Sequence, residues 1–130
     1  SDYQYLLKKG YSNKNILKIV GDRYALNSVQ RSFLYRGITT QEKALLRKAK
    51  LISEKEIAGQ TIIIDSYNIL ISIHSYLKGK PVFISNDGYL RDAGLLKGKI
   101  SKTTDLHRAV NLCLNYLKTL NLGLFLSSKK

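Results

Sequence analysis

The sequence predicts an α/β protein in which an N-terminal helical bundle precedes a small parallel sheet carrying a β-hairpin insertion. Three observations carry that expectation. Over residues 3–50 the apolar side chains recur at helical spacing; at Thr61-Ile62-Ile63-Ile64-Asp65 the pattern changes to a β-branched run; beyond it, strand-like and helix-like segments alternate. The expected division is a basic helical domain over residues 1–57 and an α/β domain over residues 58–130.

The helical part is punctuated by helix-end chemistry. A short polar side chain can accept the orphan N–H groups of a first turn, and glycine readily takes the left-handed backbone that closes a last one. A first helix over residues 3–9 therefore ends at Gly10, and Ser12 caps a second over 13–20, before Gly21. Asn27 caps a third over 28–36, closed by Gly37, with Val29, Phe33 and Leu34 inward and Gln30, Arg31 and Arg36 outward. A fourth follows Thr39 and Thr40 over 41–50. The second and third helices can be read as a helix-turn-helix that presents Gln30, Arg31 and Arg36 to a DNA groove. They equally fit a plain bundle whose arginines are solvated.

In the second half, residues 61–65 read as a buried strand and 67–77 as a helix. Pro81-Val82-Phe83-Ile84-Ser85 reads as a strand, Asn86-Asp87-Gly88 as a turn, and Tyr89-Leu90-Arg91 as the return arm of a hairpin. Lys97-Gly98-Lys99 is a basic loop. Residues 105–120 form an amphipathic helix with Leu106, Val110, Cys113, Leu114 and Leu117 on one face, and residues 122–126 a further strand. Strand, helix, hairpin, helix and strand imply a sheet with parallel neighbours.

Composition narrows the function. There are 22 Lys and Arg against 9 Asp and Glu, a net charge of +13 over 130 residues, which calls for a polyanionic partner. The excess is spread along the chain: residues 1–60 hold 12 basic and 5 acidic groups, residues 61–130 hold 10 and 4. A single cysteine, Cys113, permits no internal disulfide and favours a reducing compartment. No apolar stretch approaches the length of a membrane span, and the N-terminus lacks a signal peptide's hydrophobic segment, so a cytoplasmic protein with no membrane partner is expected. The chain does not begin with Met, so it can begin part-way into a gene product.

The candidate site starts at Asp65, since an aspartate at the carboxyl end of a strand in an α/β sheet lies where such sheets bind ligands. Asn68 follows three residues on, and Asp87 and Asp92 flank Gly88. Converging, these carboxylates and the amide can hold Mg²⁺ or Mn²⁺ and activate water against a phosphodiester. Each also has a plain structural use. Asp65 can cap the next helix, Asp87 can be the Asp of an Asp-Gly turn, and Asp92 can pair with Arg91 or Lys97. His74 and His107 lack partners at zinc spacing, and there is no phosphate-binding loop. Of 12 aromatics 9 are tyrosines, and Tyr11, Tyr24, Tyr35 and Tyr89 stand beside basic residues or glycine, where an exposed ring can stack on unpaired bases.

The run Ile62-Ile63-Ile64-Asp65-Ser66-Tyr67-Asn68-Ile69-Leu70 resembles the opening strand and helix of PIN-like nuclease domains of the NYN type. Gly79-Lys80-Pro81-Val82 and Asp87-Gly88-Tyr89-Leu90-Arg91-Asp92, with Gly21-Asp22-Arg23-Tyr24, Gln30-Arg31 and Leu34-Tyr35-Arg36, are similar to a largely archaeal family in which a basic helical domain precedes a PIN-like domain. The resemblance implies a partial PIN-like, Rossmann-like sheet and an RNA-directed role, with Asp65 as a metal-site carboxylate and Asn68 beside it. Ser66 stands where that motif has Gly, and Ser127-Ser128-Lys129-Lys130 follow the last strand where an acid is expected, so the acidic site is incomplete in this chain.

The expectation is an RNA-binding protein, ribosomal RNA or the ribosome being a plausible target. Phosphate contacts are expected from Arg23, Arg31, Arg36, Arg47, Lys48, Lys50, Lys97 and Lys99. A metal-dependent endoribonuclease using Asp65, Asn68, Asp87 and Asp92 and a helix-turn-helix DNA binder are the alternatives.

Overall fold

Four short helices open the chain, and each begins at a side-chain cap. The structure, a computed structural model, describes residues 1–94 and 103–127. Helix α1 (Asp2–Lys8) starts at Ser1, α2 (Asn13–Arg23) at Ser12, α3 (Ser28–Gly37) at Asn27 and α4 (Gln41–Lys48) at Thr40. In every case the cap oxygen accepts an N–H three residues on. Asn27 and Gln30 form a reciprocal capping box, which takes up the Gln30 side chain. Tyr3, Ile16 and Val20 are the buried core between α1 and α2, with Leu6, Leu7, Leu17, Leu34 and Ile38 packed around them. The Tyr3 hydroxyl, carried inward with its ring, donates to Asn13 Oδ1 at 3.1 Å.

Helix α2 does not stop at Gly21 but continues to Arg23. Gly21 is buried, and a Cβ there would collide with the Arg31 guanidinium. Close approach, rather than a helix end, is what this glycine provides. The chain reverses instead at Ala25, whose φ is +49°.

Beyond α4 come the short helix α5 (Glu54–Ile57), β1 (Thr61–Asp65), α6 (Ser66–Leu77), β2 (Val82–Ile84), β3 (Leu90–Asp92), α7 (Thr103–Thr119) and β4 (Gly123–Ser127). The architecture is mixed α/β. β1 and β4 pair in parallel from Thr61↔Gly123 to Asp65↔Ser127, and β2 and β3 form the antiparallel hairpin. Helix α5 went unread in the sequence although Ser53 and Glu56 make a capping box around it. Four residues are too few to show a period.

The chain divides into two compact units, and the division is not a single cut near residue 57. The first is Ser1–Leu51 with Pro81–Leu95, the second Ile52–Lys80 with Leu96–Lys130. The hairpin, expected as an insertion in the α/β domain, therefore belongs with the N-terminal helices. Three contacts hold it there. Phe83 packs on Phe33 with ring centroids 4.6 Å apart; the backbone N–H of Asn86 donates to the Gly37 carbonyl at 2.9 Å; and the Asn86 amide both accepts from Thr39 N–H (3.0 Å) and donates to Thr39 carbonyl (2.8 Å). A Cβ on Gly37 would lie 2.7 Å from the Phe83 ring.

In the second unit α7 turns the predicted stripe inward: Leu106, Val110, Cys113 and Leu114 are half-buried, and Ala109, Leu117 and Leu120 are buried. Burial pushes the Cys113 thiol pKa upward, consistent with a packing role. β1 is not buried on both faces as its apolar run suggested. Ile62 and Ile64 are half-buried while Ile63 is 75% exposed, the alternation of a strand covered on one side. Among the described residues no helix is long and apolar enough to cross a membrane.

Candidate nucleic-acid interface

The first unit places two carboxylates at the centre of an arginine cluster. Asp87, in the hairpin turn, is 1% exposed. Its Oδ2 accepts from Arg47 Nη1 at 2.9 Å and from Arg91 Nη2 at 2.7 Å, and its Oδ1 accepts from the Ser85 hydroxyl and from Tyr89 N–H. Burial alone would raise the carboxyl pKa. The hydrogen bonds from Ser85, Arg47, Arg91 and Tyr89 outweigh it and hold the group well below the usual carboxylate range. Asp92, at the end of β3, is also buried; its carboxylate takes Arg36 Nη2 at 3.0 Å and its carbonyl takes Arg36 Nε at 2.6 Å.

These contacts come from sequence positions far apart, α3 and α4 on one side and the hairpin on the other, and they orient three guanidiniums. Arg36, Arg47 and Arg91, together with Lys43, Tyr11 and Tyr35, line one open cleft of about 750 Å³. Its lining includes Ser12 and Asn13 at the α2 N-terminus and Thr40 at the α4 N-terminus, where the helix dipole favours an anion. Among the described residues no carboxylate lines it: Asp87 and Asp92 meet the arginines from outside that lining. Among the described residues, Nη1 of Arg36, Nη1 of Arg91, and Nε and Nη2 of Arg47 make no hydrogen bond, so each guanidinium keeps donors. Tyr11 and Tyr35 are both more than half exposed.

The predicted phosphate contacts divide accordingly. Arg36 and Arg47 reach the cleft while fixed by Asp92 and Asp87. Arg31 does not serve that purpose: its Nε, Nη1 and Nη2 bond Leu26 carbonyl, Leu17 carbonyl and Asp22 Oδ1 at 2.8–2.9 Å, stapling α2 to α3. With Gln30 spent on its capping box and Arg36 on Asp92, the three side chains expected to face a DNA groove all bond within the unit. Arg23 is exposed and stacks on Tyr24 at 5.7 Å from the ring centroid; Lys48 and Lys50 are exposed. Lys97 and Lys99 lie outside the described residues. Of the other two tyrosines singled out in the sequence, Tyr24 donates to Asp2 at 2.6 Å and Tyr89 to the Arg47 carbonyl at 3.1 Å.

The four residues expected to converge on a metal fall in different units. Asp87 and Asp92 belong to the first, bound by arginines; Asp65 and Asn68 belong to the second, both exposed. Among the described residues no group of three or more His, Cys, Asp or Glu could hold a metal ion. Asp65 occupies the N-cap position of α6 but makes no side-chain cap hydrogen bond, so the capping use anticipated for it is not realised. Lys43, Ser85 and Arg91 were not foreseen as site residues. Arg91 had a local signal, four residues from Asp87 across the turn; Lys43 had none, because only the tertiary fold brings α4 to the hairpin.

Comparison with known proteins agrees with a two-part chain. Residues 1–50 match a family described as protein of unknown function (DUF434), and residues 54–126 match one described as domain of unknown function (DUF5616). The chain is 31% identical over 121 residues to Uncharacterized protein MJ0935 of Methanocaldococcus jannaschii, covering 93% of this chain and 58% of that protein's length. No solved structure matches. Since the second match takes in more than half of its residues, the chain belongs to the DUF5616 family.

Proposed function

We propose that this protein binds RNA and that the arginine cleft of the first unit holds the phosphates. The observation that carries this reading is the convergence of Arg36, Arg47, Arg91 and Lys43 on one cleft with two exposed tyrosines and no lining carboxylate. Guanidiniums fixed by buried acids are preorganised donors for phosphate oxygens, and the net charge of +13 supplies the long-range attraction. The ribosome is the proposed docking target, since it presents structured RNA at high local charge, and the cytoplasm is the compartment that follows.

The test is fluorescence anisotropy of labelled single-stranded RNA, RNA hairpins and duplex DNA across a salt series, with intact ribosomes in a sedimentation arm. Affinity for RNA should fall with salt at a log–log slope of about −3 if four cleft cations each displace a counterion from a single strand. Lys43→Ala should lower the slope by about one contact. Salt-independent binding, or preference for one duplex DNA sequence, would overturn the reading.

A second reading, a metal-dependent endoribonuclease on a PIN-like domain, is favoured by the exposed Asp65 at the carboxyl end of β1 with its carboxylate unused for capping. The described residues there offer one carboxylate and the Asn68 amide, short of the oxygen set that Mg²⁺ or Mn²⁺ takes. Cleavage of the labelled RNA that requires added Mn²⁺ or Mg²⁺ and disappears in Asp65→Asn would establish it.

A further inference from the structure

We propose that the cleft is a subsite for a terminal phosphomonoester on single-stranded RNA, with the adjoining base stacked on Tyr11 or Tyr35. This rests on the RNA-binding reading and narrows it to a chain end.

Charge is the first ground. The cleft's cations are Arg36, Arg47, Arg91 and Lys43, and the carboxylates bonded to them are Asp87 and Asp92. Among the described residues, four positive against two negative groups leave a net +2 at the cleft. An internal phosphodiester carries one negative charge, whereas a terminal phosphomonoester approaches two near neutral pH. The set is matched to the end of a strand rather than to its interior.

Shape is the second. A duplex is read by convex elements that enter its grooves, but here the cations stand inside a concavity of about 750 Å³, within the range of small-ligand clefts. A concavity of that volume has room for a single nucleotide with its phosphate. The α2 and α4 N-termini, at Ser12 and Thr40, lie on the same lining and add the positive ends of two helix dipoles to the cations.

The tyrosines are the third. Tyr11 is 51% and Tyr35 56% exposed, both on the lining of this cleft, although rings of that size usually bury most of their area. Base stacking on such rings is indifferent to sequence, which suits a reader of strand ends.

The experiment compares one labelled octanucleotide in three forms, with a 5′-phosphate, with a 3′-phosphate and with hydroxyls at both ends, against the full chain at fixed salt. Inorganic phosphate and a nucleoside monophosphate serve as competitors. At least one phosphorylated form should bind ten-fold or more tightly than the hydroxyl form. That advantage should vanish in Lys43→Ala and in Tyr11→Ala with Tyr35→Ala, exposed positions whose replacement leaves the buried carboxylates paired. Arg47→Lys, which keeps the charge but loses the fork, should reduce the advantage without abolishing binding. The nucleoside monophosphate should compete better than inorganic phosphate. Equal binding of all three forms would overturn the end-specific proposal while leaving RNA binding intact. Failure of every RNA to bind would overturn the RNA-binding reading itself, and competition by inorganic phosphate as effective as by the nucleotide would remove the tyrosines from the site.

Discussion

The two compact units carry almost the same excess charge, +7 in the first and +6 in the second, yet they treat their buried polar groups in opposite ways. In the first, the buried Ser85, Asp87 and Asp92 all sit in hydrogen-bonded networks with arginines. In the second, buried His74 Nδ1 and Ser75 Oγ have no hydrogen-bond partner among the described residues. The difference teaches that net charge alone does not locate a working surface. What distinguishes the first unit is that its guanidiniums are held by buried carboxylates, Asp87 and Asp92, which fixes where their remaining donors point.

The most severe way to break the contrast is to replace Arg47 and Arg91 together by Ala. Asp87 would then keep its burial and lose both cations, which should cost about 3 kcal/mol, the low end for an orphaned buried charge because the arginines themselves are partly exposed. Urea unfolding read by amide exchange should show protection falling in residues 1–51 and 81–94 while α6 and α7 keep theirs. Equal loss in both units would refute the assignment of the hairpin to the first.

The same carboxylate makes the first unit acid-sensitive. Asp87 is held well below its ordinary value of 3.8 in the fold, so its contribution is present at neutral pH, begins to fall below about pH 5 and is lost progressively as pH drops through and below the ordinary carboxylate range. Glu56 in the second unit is also lowered, by the Ser53 backbone and side chain, but it is exposed and screened by solvent. Acid should therefore loosen the hairpin before it loosens α6 and α7. Asp87→Asn should be less stable at neutral pH and nearly flat across the acid range; an unchanged acid slope in that variant would assign the sensitivity elsewhere.

How much of this was legible in the sequence follows from the range of each interaction. Caps act over three residues, so Ser12, Asn27 and Thr40 marked α2, α3 and α4 correctly, and the β-branched run 61–65 marked β1 to the residue. Gly21 misled because a glycine that ends a helix and one that admits a neighbouring side chain look alike until Arg31 is seen beside it. The hairpin was recognised as an element, but its packing on the N-terminal helices was not, since Phe33 with Phe83 and Arg36 with Asp92 are pairings 50 or more residues apart that no local pattern announces. For the candidate site, Arg36 and Arg47 were named on charge alone. Asp87 and Asp92, selected as candidate metal ligands with turn and ion-pair roles as the alternatives, pair with Arg47 and Arg36, cations that the linear order separates from them.

The smallest expected effect sharpens the contrast from the other side. Ser75 is 1% exposed on α6, and among the described residues its hydroxyl has no hydrogen-bond partner. A buried hydroxyl without a partner forfeits its hydration, so Ser75→Ala should raise stability by about 1 kcal/mol, measured as a higher urea midpoint at unchanged slope. Ser85→Ala in the first unit removes a hydroxyl that serves both Asp87 and Arg91 and should lower stability by a similar amount. Opposite signs for the same substitution at two equally buried serines would show that partnering, not burial, sets the energetic value of a polar side chain in each unit. Equal signs would mean that Ser75 finds in solution the partner it lacks among the described residues.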